Sequence, residues 1–185
     1  EIYPRNLLLN QYKLDLNNGK YTNNFNCESL SNIIAEIFYI TANALSSQQI
    51  YTFSNFYLNL SKYLNAKFFS FNTLLAENFY NTDNLTQAKK IYKELSKKGE
   101  AFFWYSAKQN AKIYIQEGKK EKALKLITNS YEKLLEKDIY VMFDYARFLK
   151  NNDKFEDSIN LYSEIIQKIK KDHPLYPKVK DGRGV

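Results

Sequence analysis

The sequence predicts an all-α protein, an α-solenoid of stacked antiparallel helical hairpins, and three observations predict it. Breakers are scarce, with 5 Gly and 3 Pro in 185 residues, while 16 Tyr and 13 Phe supply large side chains for burial. Apolar residues recur at spacings of three and four, and this pattern itself returns every 34 or 35 residues. Within each repeat two small residues keep a fixed phase, where the helices of a hairpin have to approach each other.

Three segments carry the period most clearly. Ala76, Ala111 and Ala146 are 35 apart, and Ala88, Ala123 and Ser158 repeat the interval, each 12 after its partner. Phe79, Tyr114 and Leu149 follow the first small residue by three, and Tyr92, Ile127 and Tyr162 follow the second by four. Both offsets are about one helical turn, so each unit reads as two amphipathic helices. Between the helices Asp83, Gly118 and Asp153 occupy one phase of the turn, and Gly, Asn and Asp tolerate the left-handed backbone that ends a helix. A leucine at Ala111 or Ala123 is expected to push its hairpin apart. A more diverged unit precedes these, with Ala42, Leu45, Ser54 and Leu58 in the same roles, and its turn, Ser47-Gln48-Gln49, lacks Gly or Asp.

In chain order, residues 1–33 read as a helix over Asn6 to Asp15 followed by an Asn-rich loop. Asn17-Asn18-Gly19 and Asn23 to Asn26 form that loop, which leads to an N-cap at Ser29 or Ser31. The repeats fill 34–175, divided near 35–68, 69–103, 104–138 and 139–175. His173-Pro174-Leu175-Tyr176-Pro177 stops a helix, and 176–185 reads as the opening of a further first helix. The stretch begins at Glu1 and its only Met is Met142, so a processed chain or a piece of a longer array is expected.

Composition excludes several classes of function. With 44% hydrophobic and 25% charged residues and no run of 18 apolar residues, the chain reads as soluble, cytoplasmic or periplasmic, without a membrane span. A single cysteine, Cys27, rules out an intramolecular disulfide, and with His173 as the single histidine a zinc site of four Cys and His ligands is excluded. Cys27 has no basic neighbour to activate it and reads as a passive thiol. His173 belongs to no HExxH and precedes a proline, an ordinary place for a polar residue at a helix end. No GxGxxG, GxxxxGK[ST] or GxSxG occurs. Glu117 with Glu121, and Glu132 with Glu136, are spaced four apart among lysines, as on a solvated helix face. No catalytic residue, cofactor or metal is therefore expected. Trp104, within Phe102-Phe103-Trp104-Tyr105, reads as packing, and the basic run Lys168 to Lys171 as a complement to a helix C-terminus. The net charge of +7 would draw acidic peptides, nucleic acid or anionic lipid. The same wealth of Asn, Lys, Ile, Tyr and Phe is what an AT-rich genome encodes.

A 34- or 35-residue unit with small residues at its eighth and twentieth positions, an aromatic at the eleventh and another at the twenty-fourth, resembles the tetratricopeptide repeat (TPR), bacterial in type. The match covers Ile34 to Lys171 and is best over 104–138, through Ala111, Tyr114, Ala123 and Ile127. The family's proline near the repeat end is absent after the first three units, and its aromatic fourth position is taken by Asn72, Ala107 and Met142. The resemblance implies a right-handed superhelix whose first helices line a concave groove that holds peptides or partner proteins, and it implies no chemistry.

Carried over position by position, the resemblance gives groove candidates in each first helix. They are Tyr39 and Asn43; Thr73, Glu77 and Tyr80; Tyr105, Lys108 and Lys112; and Tyr140, Phe143, Arg147 and Lys150. Lys108 and Lys112, four apart, repel each other unless something acidic joins them, which suits an acidic peptide. The family's carboxylate-clamp pattern of Lys and Asn is not reproduced. The expectation is a non-enzymatic scaffold that binds a protein or peptide, with self-association through end helices as a further property. Two alternatives stand beside it. An RNA-binding repeat of the pentatricopeptide type would use the +7 charge on phosphates, although the units lack that family's Gly and Pro-Asp ending. A recognition arm of a larger enzyme is the other.

Overall fold

The chain is seen in a computed structural model that describes residues 6–20, 29–67 and 69–184. Cys27 and the loop predicted over Asn23 to Asn26 lie outside the described residues. The described residues form ten α-helices: α1 Leu7–Asn17, α2 Leu30–Ser47, α3 Tyr51–Leu64, α4 Ser70–Asn81, α5 Leu85–Leu95, α6 Glu100–Gln116, α7 Lys120–Glu132, α8 Ile139–Lys150, α9 Phe155–Lys168 and α10 Tyr176–Arg183. No strand occurs among them, and no helix is long and apolar enough to cross a membrane. Short polar side chains start several helices. Asn6, Ser29, Asn84 and Asp138 each accept a hydrogen bond from a first-turn backbone N–H, which satisfies a donor the helix leaves open.

The chain divides into two compact units, Asn6–Ile113 and the residues from Tyr114 on. In the first, α2 packs on α3, α4 on α5, and α3 on α4; in the second, α8 packs on α9, and α10 on α9 and α8. The four pairs of small residues, Ala42/Ser54, Ala76/Ala88, Ala111/Ala123 and Ala146/Ser158, are all at most 1% exposed. Where the second member is serine, its hydroxyl donates across the hairpin to the carbonyl of the first. Ser54 Oγ lies 2.8 Å from Ala42 O, and Ser158 Oγ 2.8 Å from Ala146 O. Backbone-to-side-chain bonds of this length require the two helices to touch, which is why nothing larger stands at these positions.

All four hairpin turns have the same backbone. Gln49, Asp83, Gly118 and Asp153 are left-handed, with φ of 63°, 59°, 74° and 66°. The N–H of the next residue reaches back to the carbonyl five positions earlier: Ile50 to Leu45 (2.9 Å), Asn84 to Phe79 (2.8 Å), Lys119 to Tyr114 (2.8 Å) and Lys154 to Leu149 (3.0 Å). This closes the last turn of the first helix and reverses the chain. Gln49 holds the position without the tolerance of Gly or Asp, at a cost of roughly 1 kcal/mol. Replacing Gln49 by Gly should therefore raise stability by up to about 1 kcal/mol, read as a higher urea midpoint at unchanged m-value. The same exchange at the exposed helical Asn43 should lower it.

Two continuous apolar clusters fill the first unit. Ala42, Leu58, Phe71, Leu74 and Leu75 form one; Ala76, Ala88, Tyr92, Leu95, Phe102 and Ile113 form the other; Phe79 and Ile91 border both. Helix α1 belongs to this unit. Leu7 and Leu8 pack on the second cluster, and buried Gln11 accepts through Oε1 from Ala101 N–H in the first turn of α6, at 2.9 Å. Gly99 makes room for it, since a Cβ there would lie 2.2 Å from the Gln11 amide. The second unit is built around Met142, Phe143, Ala146, Tyr162, Ile165, Leu175 and Val179. There α10 comes close to α9 through Gly182, where a Cβ would lie 2.5 Å from the Tyr162 ring.

Candidate functional site

Two of the predicted groove residues, Glu77 and Tyr105, meet in the first unit. Tyr105 Oη on α6 donates to the Glu77 carboxylate on α4 at 2.5 Å, and burial, followed by the charge of Glu77, raises the pKa of Tyr39 on α2. Two successive first helices, α4 and α6, are thus joined by one side chain each. One turn further along, Lys112 of α6 places its ammonium 4.6 Å from the ring centre of Tyr80 on α4, a cation–π contact. Lys108 sits half-buried, 5.8 Å from the ring of buried Trp104. The two lysines are therefore held over aromatic faces, which relieves part of their mutual repulsion.

The remaining candidates are placed differently. Thr73 is half-buried, its hydroxyl donating to Ser70 O at 2.7 Å within the first turn of α4. Asn43 is exposed on α2. In the second unit Phe143 is 5% exposed and packs edge-on against Tyr162, so it builds the core rather than offering a contact surface. Arg147 lies over that ring and 3.7 Å from Asp144. Lys150 donates to the carbonyls of Gly182 (3.0 Å) and Asp181 (3.3 Å), where it caps α10. Tyr140 packs near His173, ring centres 6.1 Å apart, and His173 Nδ1 accepts from Leu175 N–H at 3.1 Å. Lys168 stands in the last turn of α9, paired with Glu164.

Position rules for first helices missed two residues that shape this region. Tyr92, on second helix α5, packs edge-on against Tyr105 with ring centres 5.9 Å apart. Asn78, beside Glu77, is fully buried: its Nδ2 donates to Ser54 Oγ and to Asn55 Oδ1, both at 2.8 Å, and its Oδ1 accepts from Ser46 Oγ. The signal for Asn78 was available, because one repeat later the same position is Ile113.

Burial raises the tyrosine hydroxyls of this cluster, and the Glu77 charge raises them further. This holds for Tyr39 and, much more strongly, for Tyr92 and Tyr105, with Tyr105's hydrogen bond lowering Tyr92 in part. In the second unit Tyr131, stacked on Tyr145 at 4.2 Å, is pushed up to about 12 by burial and then by the charges of Glu164 and Tyr145. A pKa raised on folding gives stability that is complete below the unfolded value of about 10 and is lost as pH climbs through the folded value. The urea midpoint should thus be unaffected by these tyrosines from neutral pH to about pH 10 and fall steeply toward pH 12 and above. The phenolate absorbance that comes from Tyr39, Tyr92, Tyr105 and Tyr131 should appear with unfolding rather than ahead of it.

Among the described residues no group of three or more His, Cys, Asp or Glu is placed to hold a metal ion. The arrangement offers hydrogen bonding, aromatic faces and cations. In sequence the chain matches no protein-family model, and no curated protein matches it.

Proposed function

We propose that the chain is a non-enzymatic interaction module of the tetratricopeptide-repeat kind, which holds a peptide or a segment of a partner protein against its first helices. The observation that carries this reading is the hydrogen bond of Tyr105 on α6 to Glu77 on α4, which joins two successive first helices. A surface shared by consecutive repeats can follow an extended peptide, with carboxylate and phenol groups for its backbone and aromatic faces for its side chains. Lys108 and Lys112 lie on the same helix as Tyr105 and add a preference for acidic residues in the peptide.

Capture from a cell lysate, with and without nuclease, tests the reading beside a Lys108→Glu/Lys112→Glu variant of unchanged circular dichroism. A nuclease-resistant protein partner held by the parent, and bound roughly tenfold or more weakly by the variant, is expected. Capture of nucleic acid, with nuclease-sensitive partners, would instead favour an RNA-binding helical repeat, which the +7 charge supports.

A further inference from the structure

Helix α6 has no cap of its own. Gly99 stands at its N-cap position, where its carbonyl accepts from Phe103 N–H at 2.8 Å, and it has no side chain to take up the first-turn donors. The missing acceptor comes from α1. Gln11 Oε1 takes the N–H of Ala101, the second residue of α6, at 2.9 Å, which is the bond an Asn or Ser at position 99 would ordinarily make. Gln11 Nε2 donates to Asp15 Oδ1 at 2.9 Å, one turn along α1, and this fixes which end of the amide faces α6. Gly99 leaves the recess in which the amide sits, since a Cβ there would overlap it. Leu7 and Leu8 complete the contact by packing on the cluster that holds Leu95 and Phe102.

The attachment of α1 is slight beside what it covers. Gln11 is its one buried residue, Leu7 and Leu8 are half-buried, and Leu9, Tyr12 and Leu16 are 53%, 46% and 39% exposed. A helix of 11 residues is marginal in water without tertiary contacts, so α1 leaves and unwinds in one step, at a lower cost than opening the apolar clusters. What it leaves behind is a formed seat: an uncapped N–H at the positive end of α6, a recess above Gly99 and an apolar rim. We propose that this seat is a helix-binding site whose resident occupant is α1, and that it takes from a partner an amphipathic helix with two adjacent leucines and, three residues after the second, a glutamine. The resident names this chemistry through Leu7, Leu8 and Gln11. It also sets the affinity a rival must exceed, because a tethered segment is present at an effective concentration on the order of 1 mM. Glu77, Tyr105, Lys108 and Lys112 take no part in the proposal, so its failure and the failure of the peptide-binding reading are distinguishable.

Fluorescence anisotropy of a labelled peptide of residues 6–18 tests the proposal, against the full chain and against the full-length variant Leu8→Asp/Gln11→Leu, whose own α1 no longer fits. The variant should bind the peptide with a Kd below that effective concentration, about 100 μM or tighter, and the parent at least roughly tenfold more weakly, because its seat is filled. A peptide carrying Gln11→Leu should bind the variant about fivefold or more weakly, and one carrying Leu8→Asp more weakly still. Hydrogen exchange of the parent adds a measurement that needs no variant: the amides of α1 and of Ala101 should exchange together, well before that of the buried Ile113. Absence of binding to the variant up to about 1 mM, equal binding to parent and variant, or a Gln11→Leu peptide that binds like the original would overturn the proposal. So would α1 amides that exchange only together with Ile113.

Discussion

Replacing Ala88 by leucine is expected to destabilise the Asn6–Ile113 unit by about 3 kcal/mol, read as a much lower urea midpoint. Ala88 is fully buried in one cluster with Ala76, Tyr92, Leu95, Phe102 and Ile113. Three extra carbons at that point force α5 away from α4 or drive its neighbours off their rotamers, at a cost of about 3 kcal/mol or more. That is a large part of the stability of a small domain, roughly 5–15 kcal/mol. Leucine is nearly as good a helix former as alanine, so the loss would come from packing and not from the helix itself. The exposed Ala44 on α2 is the control: Ala44→Leu should change stability by no more than about 0.5 kcal/mol. Urea titrations of the two variants, followed by far-ultraviolet circular dichroism, should separate them clearly. Equal midpoints would mean that the small residues do not set the approach of the helices.

The second large effect is expected at Asn78. Its amide ties α4 to both helices of the preceding hairpin, through Ser46 on α2 and through Ser54 and Asn55 on α3. Ser54 also donates to Ala42 O, so one chain of hydrogen bonds runs from α4 through α3 to the backbone of α2. Asn78→Ala removes three bonds and leaves polar groups inside the unit with fewer partners, a loss of about 3 kcal/mol. One repeat later the chain makes the same join without polar groups, with Ala88 and Ile113 together in an apolar cluster. This comparison predicts a coupling: once Asn78 is gone, Ser54→Ala should cost less than it does in the parent. Additive losses in that double-mutant cycle would argue against a shared network.

The hairpins were legible because small residues at a fixed period mark where helices must touch, and the eight positions so marked are the ones the structure buries. Three of the four turns were legible for a similar reason, since Asp83, Gly118 and Asp153 suit a left-handed backbone, as the structure has it. Gln49 was not, because its conformation is imposed by the hairpin against its own preference. The docking of α1 was hidden as well. Gln11 finds its partner 90 residues away at Ala101, and no local pattern encodes so distant a contact. At the candidate site, a rule for first-helix positions named Tyr39, Glu77 and Tyr105. It could not foresee that Phe143 would be covered by its own unit or that Lys150 would be taken by the carbonyls of α10. Those outcomes depend on which neighbour packs beside the helix, and periodicity alone does not carry that.

The most direct test of the account is residue-resolved hydrogen exchange of the protein, with and without a peptide selected for binding from a random display library. The reading proposed here predicts slower exchange in α2, α4 and α6 around Tyr39, Glu77 and Tyr105, with α3, α5 and α9 unchanged. Protection confined to those second helices, or a library from which no sequence binds, would contradict it.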